Sequence, residues 1–497
     1  MEQTENRNLT LLTDLYELTM MQGYFEEKDI NETVIFDVFY RSNPNNNGYA
    51  ICAGLEQAID YIKNLKFDEE DISYLRNLGI FKEDFLEYLK NFKFTGDMYA
   101  IPEGSIMFPR EPFIKIIAPI MQAQFIETAL LNIMNHQSLI ATKAARVVYA
   151  AAGEPVLEFG LRRAQGPDAG IYGARAAIIG GCAGTSNVLC GKKFNVPVMG
   201  THAHSWIMSF SDELTAFRKY AELYPNSCIL LVDTYDTLKS GVPNAITVFN
   251  ELKDSGVKLK NYGIRLDSGD LAYLSKKARA MFDEAGFYDA IISASNDLDE
   301  EIISSLKLQG AKVNSWGVGT NLITSKDCPS FGGVYKLAAM KNKDTGEFIP
   351  KIKLSENAEK ITNPGNKTIY RIYKKENNKV IGDLVCLVDE KFDVNKPLML
   401  FDPIETWKKT HLEPNSYTMR EMLVPVFLNG ECVYKSPTVL ELREYCKSEL
   451  ETLWDESKRL SNPHQTFVDL SYKLWHIKNE LLQKYHVMDI VPFDQSF

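Results

Sequence analysis

Tyr262-Gly263-Ile264-Arg265-Leu266-Asp267-Ser268-Gly269-Asp270-Leu271 is the stretch on which the fold turns. An apolar, strand-like run ends at Leu266, and a polar stop follows with two carboxylates and a hydroxyl. Leu271, Leu274, Ala278, Met281, Phe282 and Ala285 then recur with helical period up to Gly286. Working outward, the same unit repeats from Gly170 to about Met340. Its strand runs are Val196–Met199, Cys228–Val232, Tyr262–Leu266, Ala290–Ser293 and Val313–Val318. The stops begin at Gly200, Asp233, Asp267, Asn296 and Gly319, at intervals of 33, 34, 29 and 23 residues. That spacing accommodates one strand, one helix and two short loops per repeat, the pattern of a parallel sheet. The expected fold class is α/β, an irregular (β/α) barrel of parallel strands. In such folds ligands gather at the carboxyl ends of the strands, where each of these stops lies.

Ser211 is the expected N-cap of one barrel helix, with Asp212 and Glu213 in its first turn. Leu298, Ile302, Ile303 and Leu306 mark another helix, closed by Gly310. The barrel is assigned to residues 136–350, preceded by an N-terminal mixed α/β domain, 1–135. A C-terminal helical or irregular domain, 351–497, follows, with helices expected near Thr438–Leu460 and Phe467–Lys484. At roughly 150 residues per domain, 497 residues agree with three parts.

Composition narrows the function. The 45% hydrophobic and 24% charged fractions are those of a folded globular chain. The net charge of −11 with no basic block argues against a nucleic-acid partner. The apolar stretch 113–141 is interrupted by Lys115, Gln122, Gln124, Glu127 and His136, so no membrane span is expected. Eight cysteines without a C-x-x-C pair fit reduced thiols, and the first residues lack a signal-peptide pattern. A cytoplasmic location is expected.

Neither a Walker A loop nor a complete G-x-G-x-x-G occurs; Gly317-Val318-Gly319-Thr320-Asn321-Leu322 fails at its last position. His202 and His204 form an H-x-H pair whose rings would share a face on an extended chain, as in metal-dependent hydrolase barrels. The next histidine is His411, beyond the barrel, so that ligand set is short. Asp233 and Asp267 could hold Mg²⁺ through its waters, and the amides of Gly317 and Gly319 with Thr320 could cradle a phosphate. Phe159-Gly160-Leu161-Arg162-Arg163 sets an aromatic ring beside two guanidinium groups suited to a diphosphate or carboxylate. Each feature alone also has a structural reading: loop histidines, helix caps, a surface basic pair.

Thr13–Met20 (TDLYELTM), Phe159–Asp168 (FGLRRAQGPD), Gly184–Asn187 (GTSN), Gly200–Ser205 (GTHAHS), Arg265–Asp270 (RLDSGD), Gly317–Thr320 (GVGT) and Gly332–Lys336 (GGVYK) together resemble the nicotinate phosphoribosyltransferase family. The resemblance implies condensation of nicotinate with 5-phosphoribosyl 1-diphosphate to nicotinate mononucleotide and diphosphate in NAD biosynthesis. It further implies coupling to ATP hydrolysis through a phosphohistidine, Mg²⁺ carried on the diphosphate, and a homodimer with shared active sites. By motif, His204 is implied as the phosphorylated residue and Asp233 and Asp267 as its catalytic companions. Tyr16, Phe159, Ser186, Thr201 and Arg265 are implied for nicotinate; Arg162, Arg163, Asn296, Gly317, Gly319 and Thr320 for phosphoribosyl diphosphate. Amide-specific relatives carry an aspartate where Ser186 stands, which implies the acid as substrate. A metal-dependent hydrolase using the H-x-H pair and a non-catalytic phosphoribosyl-ligand sensor remain alternatives.

Overall fold

The computed structural model describes residues 7–405 and 407–485. Six parallel strands form the expected α/β sheet: β1 (Val156–Glu158), β2 (Gly184–Thr185), β3 (Ser227–Leu231), β4 (Asn261–Leu266), β5 (Ile291–Ala294) and β6 (Ser315–Val318). Their spatial order is β2-β1-β6-β5-β4-β3, a curled half-barrel rather than a closed ring. Leu230, Ile264, Ile292 and Val318 are fully buried, as strands covered by helices must be. Phe217, Phe249, Phe282 and Ile303 from the surrounding helices complete that core. Truncating one of these phenylalanines to alanine costs about 3–5 kcal/mol in such a setting.

Val196–Met199 was expected as a strand and supplies only a bridge between Val198 and Thr185. Pro197 lacks an N–H, so this segment accepts from Thr185 N through Pro197 O (3.1 Å) and donates back only through Met199 N (2.9 Å). The cap at 211–212 also differs. Asp212, not Ser211, accepts from Thr215 N, and Ser211 Oγ donates to Asp212 instead. A carboxylate is the stronger acceptor for the helix's free amides.

The N-terminal part is built on an antiparallel sheet centred on Thr33–Tyr40, which pairs with Ile114–Pro119 on one side and Gly333–Lys341 on the other. Phe348–Pro350, Asp97–Ala100, Val424–Leu428 and Glu431–Cys432 extend it. The chain thus leaves the half-barrel at 333 to rejoin the first sheet and visits it again at 424–432, so the three sequence segments interleave in space. Residues beyond 351 carry, beside the expected helices Val439–Thr452 and Tyr472–Tyr485, a second six-stranded sheet around Lys367–Lys374 and Val380–Leu387. Among the described residues no helix is long and apolar enough to cross a membrane.

Candidate active site

Phe159, Ser186, Asp233, Asp267, Asn296 and Gly319 each lie within two residues of the carboxyl end of β1, β2, β3, β4, β5 and β6 respectively. A parallel sheet brings these ends to one side, so residues far apart in sequence share one rim. Arg265 is the hub. Its Nη2 donates to Asp267 Oδ1 (2.6 Å), Nη1 to Thr201 Oγ1 (3.0 Å) and Nε to Ser295 Oγ (2.7 Å), and its guanidinium lies 5.9 Å from the centre of the Phe159 ring. Burial alone would raise the Asp267 carboxyl. The Ser295 hydroxyl and the Arg265 charge outweigh it and hold the group below the usual aspartate range.

His204 opens a short helix, His204–Met208, and faces this hub. Its Nδ1 is 3.0 Å from Thr234 Oγ1, and its Nε2 is 3.8 Å from both Asp233 Oδ1 and Asp267 Oδ2. A hydroxyl can give or take a proton, so the Thr234 contact suits either tautomer of the ring. Asp233 is tied down on one side only: Oδ2 accepts from Asp267 N (2.8 Å) and Ser268 Oγ (2.7 Å). Its Oδ1 is buried with no hydrogen-bond partner. An anionic oxygen left open beside a second carboxylate fits a hard divalent cation that takes its remaining ligands from water and substrate oxygens. Among the described residues no three His, Cys, Asp or Glu side chains converge on a self-contained metal centre.

The H-x-H pair does not share a face. Helix onset at His204 turns its ring outward to 39% exposure, while His202 is buried. His202 Nε2 accepts from Leu231 N (3.2 Å), and its ring meets Tyr220 edge-on at 4.6 Å. Burial pushes its pKa down to about 4. With its nitrogen committed to β3 and its neighbour pointed elsewhere, His202 is a packing residue, and the hydrolase ligand pair is not formed.

Gly317 is required by the ring beside it: a Cβ there would stand 2.6 Å from Phe159 Cδ2. Asn296 sits at φ 94°, an uncommon conformation for a residue with a side chain and one found at ligand-binding turns. Gly319 caps the short helix Thr320–Ile323, which puts the Thr320 hydroxyl at the rim. Arg162 and Arg163 occupy a single exposed turn and form no ion pair among the described residues. Ser186 is half-buried beyond β2; of its neighbours, Thr185 donates to Glu158 and accepts from Asn187 N, and the Asn187 side chain accepts from Cys190 N. Asp236 and Asp270 are helix-start caps, each accepting from backbone amides ahead of it.

Tyr16 stands apart. It lies on the helix Leu15–Glu27, is 46% exposed, and has Glu17, Glu127 and Thr128 as its polar neighbours. No hydrogen bond or ring contact joins it to Arg265, Thr201 or Phe159 within the chain. Glu158, Thr234 and Ser295 escaped the residue-by-residue reading as site groups. For Thr234 and Ser295 the signal was adjacency to the stops at Asp233 and Asn296; Glu158 lies beside no stop read from the sequence.

Family models match in three blocks: the nicotinate phosphoribosyltransferase N-terminal domain over residues 11–135, the family domain over 155–375 and the C-terminal domain over 366–478. The chain is 47% identical over 479 residues to a nicotinate phosphoribosyltransferase of Bacillus subtilis, covering 96% of each sequence. It is 31% identical to the nicotinate phosphoribosyltransferase of Homo sapiens, over 95% of this chain and 96% of that one. The crystal structure of human nicotinic acid phosphoribosyltransferase superposes with a TM-score of 0.82 at 29% identity, over 95% of this chain and 99% of that chain.

Proposed function

The chain belongs to the nicotinate phosphoribosyltransferase family, and from that premise we propose how its own residues carry the reaction. It is an enzyme of NAD salvage that joins nicotinate to 5-phosphoribosyl 1-diphosphate, giving nicotinate mononucleotide and diphosphate. The pyridine nitrogen forms a bond to the anomeric carbon as the carbon–oxygen bond to diphosphate breaks, the oxygen leaving with the electron pair. Positive charge grows on the sugar and negative charge on the leaving group. Asp233 and Asp267 face the first; Arg162 and Arg163 face the second. Asp233 and Asp267 would also hold Mg²⁺, which would supply positive charge to neutralise the diphosphate. Arg265 and Thr201 grip the nicotinate carboxylate, Phe159 and Tyr16 sandwich its ring, and Ser186 donates a hydroxyl. Gly317, Gly319 and Thr320 hold the ribose 5-phosphate, and Asn296 the ribose.

His204 couples the reaction to ATP. Its ring nitrogen takes the terminal phosphoryl group as the bond to ADP breaks, and water later releases phosphate and restores the imidazole. The observation that carries this role is the placement of the His204 ring against Thr234 on one side and the Asp233–Asp267 pair on the other. A phosphoryl group there bears directly on the carboxylates that face the sugar.

The enzyme acts as a homodimer in which Tyr16 serves the partner's site. Support comes from its separation from the hub within one chain and from two exposed apolar patches. One is Leu12, Leu15, Tyr16 and Met20; the other, at the barrel rim, is Leu161, Val188, Leu189, Val198 and Met199. The test is nucleotide formation from nicotinate and phosphoribosyl diphosphate by His204→Ala, with and without ATP. ATP hydrolysis and acid-labile protein phosphate are lost, while slow ATP-independent synthesis remains. Acid-labile phosphate persisting on that variant overturns the role of His204.

A further inference from the structure

Glu158 ends β1 immediately before Phe159 and is completely buried. Among the described residues neither of its carboxylate oxygens meets a cation. Oε1 accepts from the backbone N–H of Gly160, and Oε2 accepts from Thr185 Oγ1 at 2.6 Å. The backbone oxygen of Glu158 accepts from Ser186 N at 3.0 Å. Thr185 Oγ1 in turn accepts from Asn187 N (3.0 Å), and the Asn187 amide donates to Gly170 O (3.0 Å) on the helix Pro167–Ile179. One carboxylate therefore ties the turn that follows β1 to the loop that follows β2. Phe159 rides on the first of these and Ser186 on the second.

The turn has no slack for another solution. A Cβ on Gly160 would stand 2.5 Å from Ile323 Cβ and 2.8 Å from Glu158 Oε1, so the backbone is pressed between the carboxylate and the next helix. On its other flank the Phe159 ring is pinned by Gly317. A carboxylate buried without a counter-charge is costly, and burial raises the pKa of Glu158 above the usual glutamate range, the hydrogen bonds from Thr185 and Gly160 offsetting only part of the rise. An apolar residue would fill the same volume without that cost but could not hold both donors.

We propose that Glu158 is the positioning residue of the base pocket, a buried clamp that sets the gap between the Phe159 ring and the Ser186 hydroxyl into which the pyridine ring slides. This rests on the proposed seating of nicotinate between those two side chains. Glu158 touches no substrate; it acts through Phe159, Gly160 and Ser186. The carboxylate's own hydrogen bonds run to the turn after β1 and to Thr185, and none reaches the phosphoribosyl groups at β5 and β6.

The test compares Glu158→Gln, Thr185→Val and Thr185→Ser as full-length enzymes, with thermal melts to confirm folding. The glutamine keeps an acceptor for Gly160 but offers Thr185 a donor in place of an acceptor; the valine removes the hydroxyl from the other end. Each is expected to raise KM for nicotinate about tenfold, the scale of one lost hydrogen bond to a charged group, with KM for phosphoribosyl diphosphate within twofold. Thr185→Ser restores wild-type values. The Glu158→Gln/Thr185→Val double variant is no worse than the poorer single one, because both cut the same tie. If Glu158→Gln does not fold, the Thr185 pair carries the test alone. Equal rises in both KM values, or a fall in melting temperature with nicotinate KM unchanged, overturn the clamp. Phe159→Ala and Ser186→Ala are run alongside. If they too leave nicotinate KM unmoved, the seating of the base is wrong; if they raise it and the clamp variants do not, only the inference about Glu158 fails.

Discussion

Arg265 and Arg371 each hold an aspartate, at 2.6 Å to Asp267 and 2.7 Å to Asp383, yet the two pairs sit in opposite environments. Arg371 and Asp383 are fully buried, directly opposite each other on the paired strands Lys367–Lys374 and Val380–Leu387 of the C-terminal sheet, and meet through two parallel bonds, with Glu111 and Glu449 close by. Burial and the neighbouring Asp383 push the Glu111 carboxyl well above its usual range, against the pull of the Arg371 charge. Around Arg265 the groups stay half-open: His204 and Asp267 reach solvent, and Asp233 keeps an oxygen without a partner. The same residue types therefore do different work. Where the surroundings close over them they tie neighbouring strands together; where they stop at the mouth of parallel strands, the unmet bonding capacity is what a substrate engages.

The sharpest test of this contrast is to remove both arginine-centred pairs in turn. Arg371→Met leaves Asp383 buried without its cation, and a loss of about 3–5 kcal/mol in urea unfolding is expected, with kcat/KM of the folded enzyme within twofold. A variant as stable as the parent breaks the contrast from the structural side.

Asp267→Asn should do the reverse. A loss of roughly 10²–10³ in kcat/KM is expected, with stability changed by no more than about 1 kcal/mol. Co-expressed with Tyr16→Ala, it also probes the dimer. Random pairing gives about half mixed dimers, each with one good site, so roughly a quarter of wild-type activity returns. A mixture no more active than its parts, with subunit exchange verified by mass, places Tyr16 in its own chain's site.

His202 and His204 sharpen the comparison within one tripeptide. Burial holds His202 at about 4 against an ordinary 6.5. A depressed histidine favours the fold above its unfolded pKa, and that contribution, up to about 3 kcal/mol, fades as pH falls from 6.5 toward 4. Urea midpoints measured across that window should fall more steeply for the parent than for His202→Gln, in which this titration is gone. Parallel slopes would remove His202 from the core account.

The smallest effect concerns which base is chosen. Ser186→Asp places a carboxylate opposite that of nicotinate and is expected to lower its kcat/KM about tenfold while sparing nicotinamide. Equal losses for both bases would mean that Ser186 does not face the carboxyl group.

Much of the site was readable along the chain because strand, stop and helix are local patterns. Asp267 follows Leu266 directly, and any residue in that place meets the carboxyl end of its strand. The family motifs then joined Asp233, Asp267 and His204 into one reaction. Glu158 and Thr234 were passed over for the opposite reason: their importance lies in partners 27 and 30 residues away, at Thr185 and His204, which no local period reveals. The H-x-H pair misled because alternation assumes an extended chain, and the helix beginning at His204 ends that assumption one residue too soon.

The sequence by itself determined the repeating strand-and-helix order, the identity of the strand-end groups and the family to which they belong, since these depend on residue type and near spacing. Only the tertiary structure decided that 333–350 and 424–432 return to the first sheet, that His202 is sealed while His204 is open, and that Arg371 ties two strands in the core while Arg265 gathers a site. Those outcomes turn on which surfaces close over a side chain. Burial is a property of everything packed around a residue, and a residue's own letter carries only a small part of it.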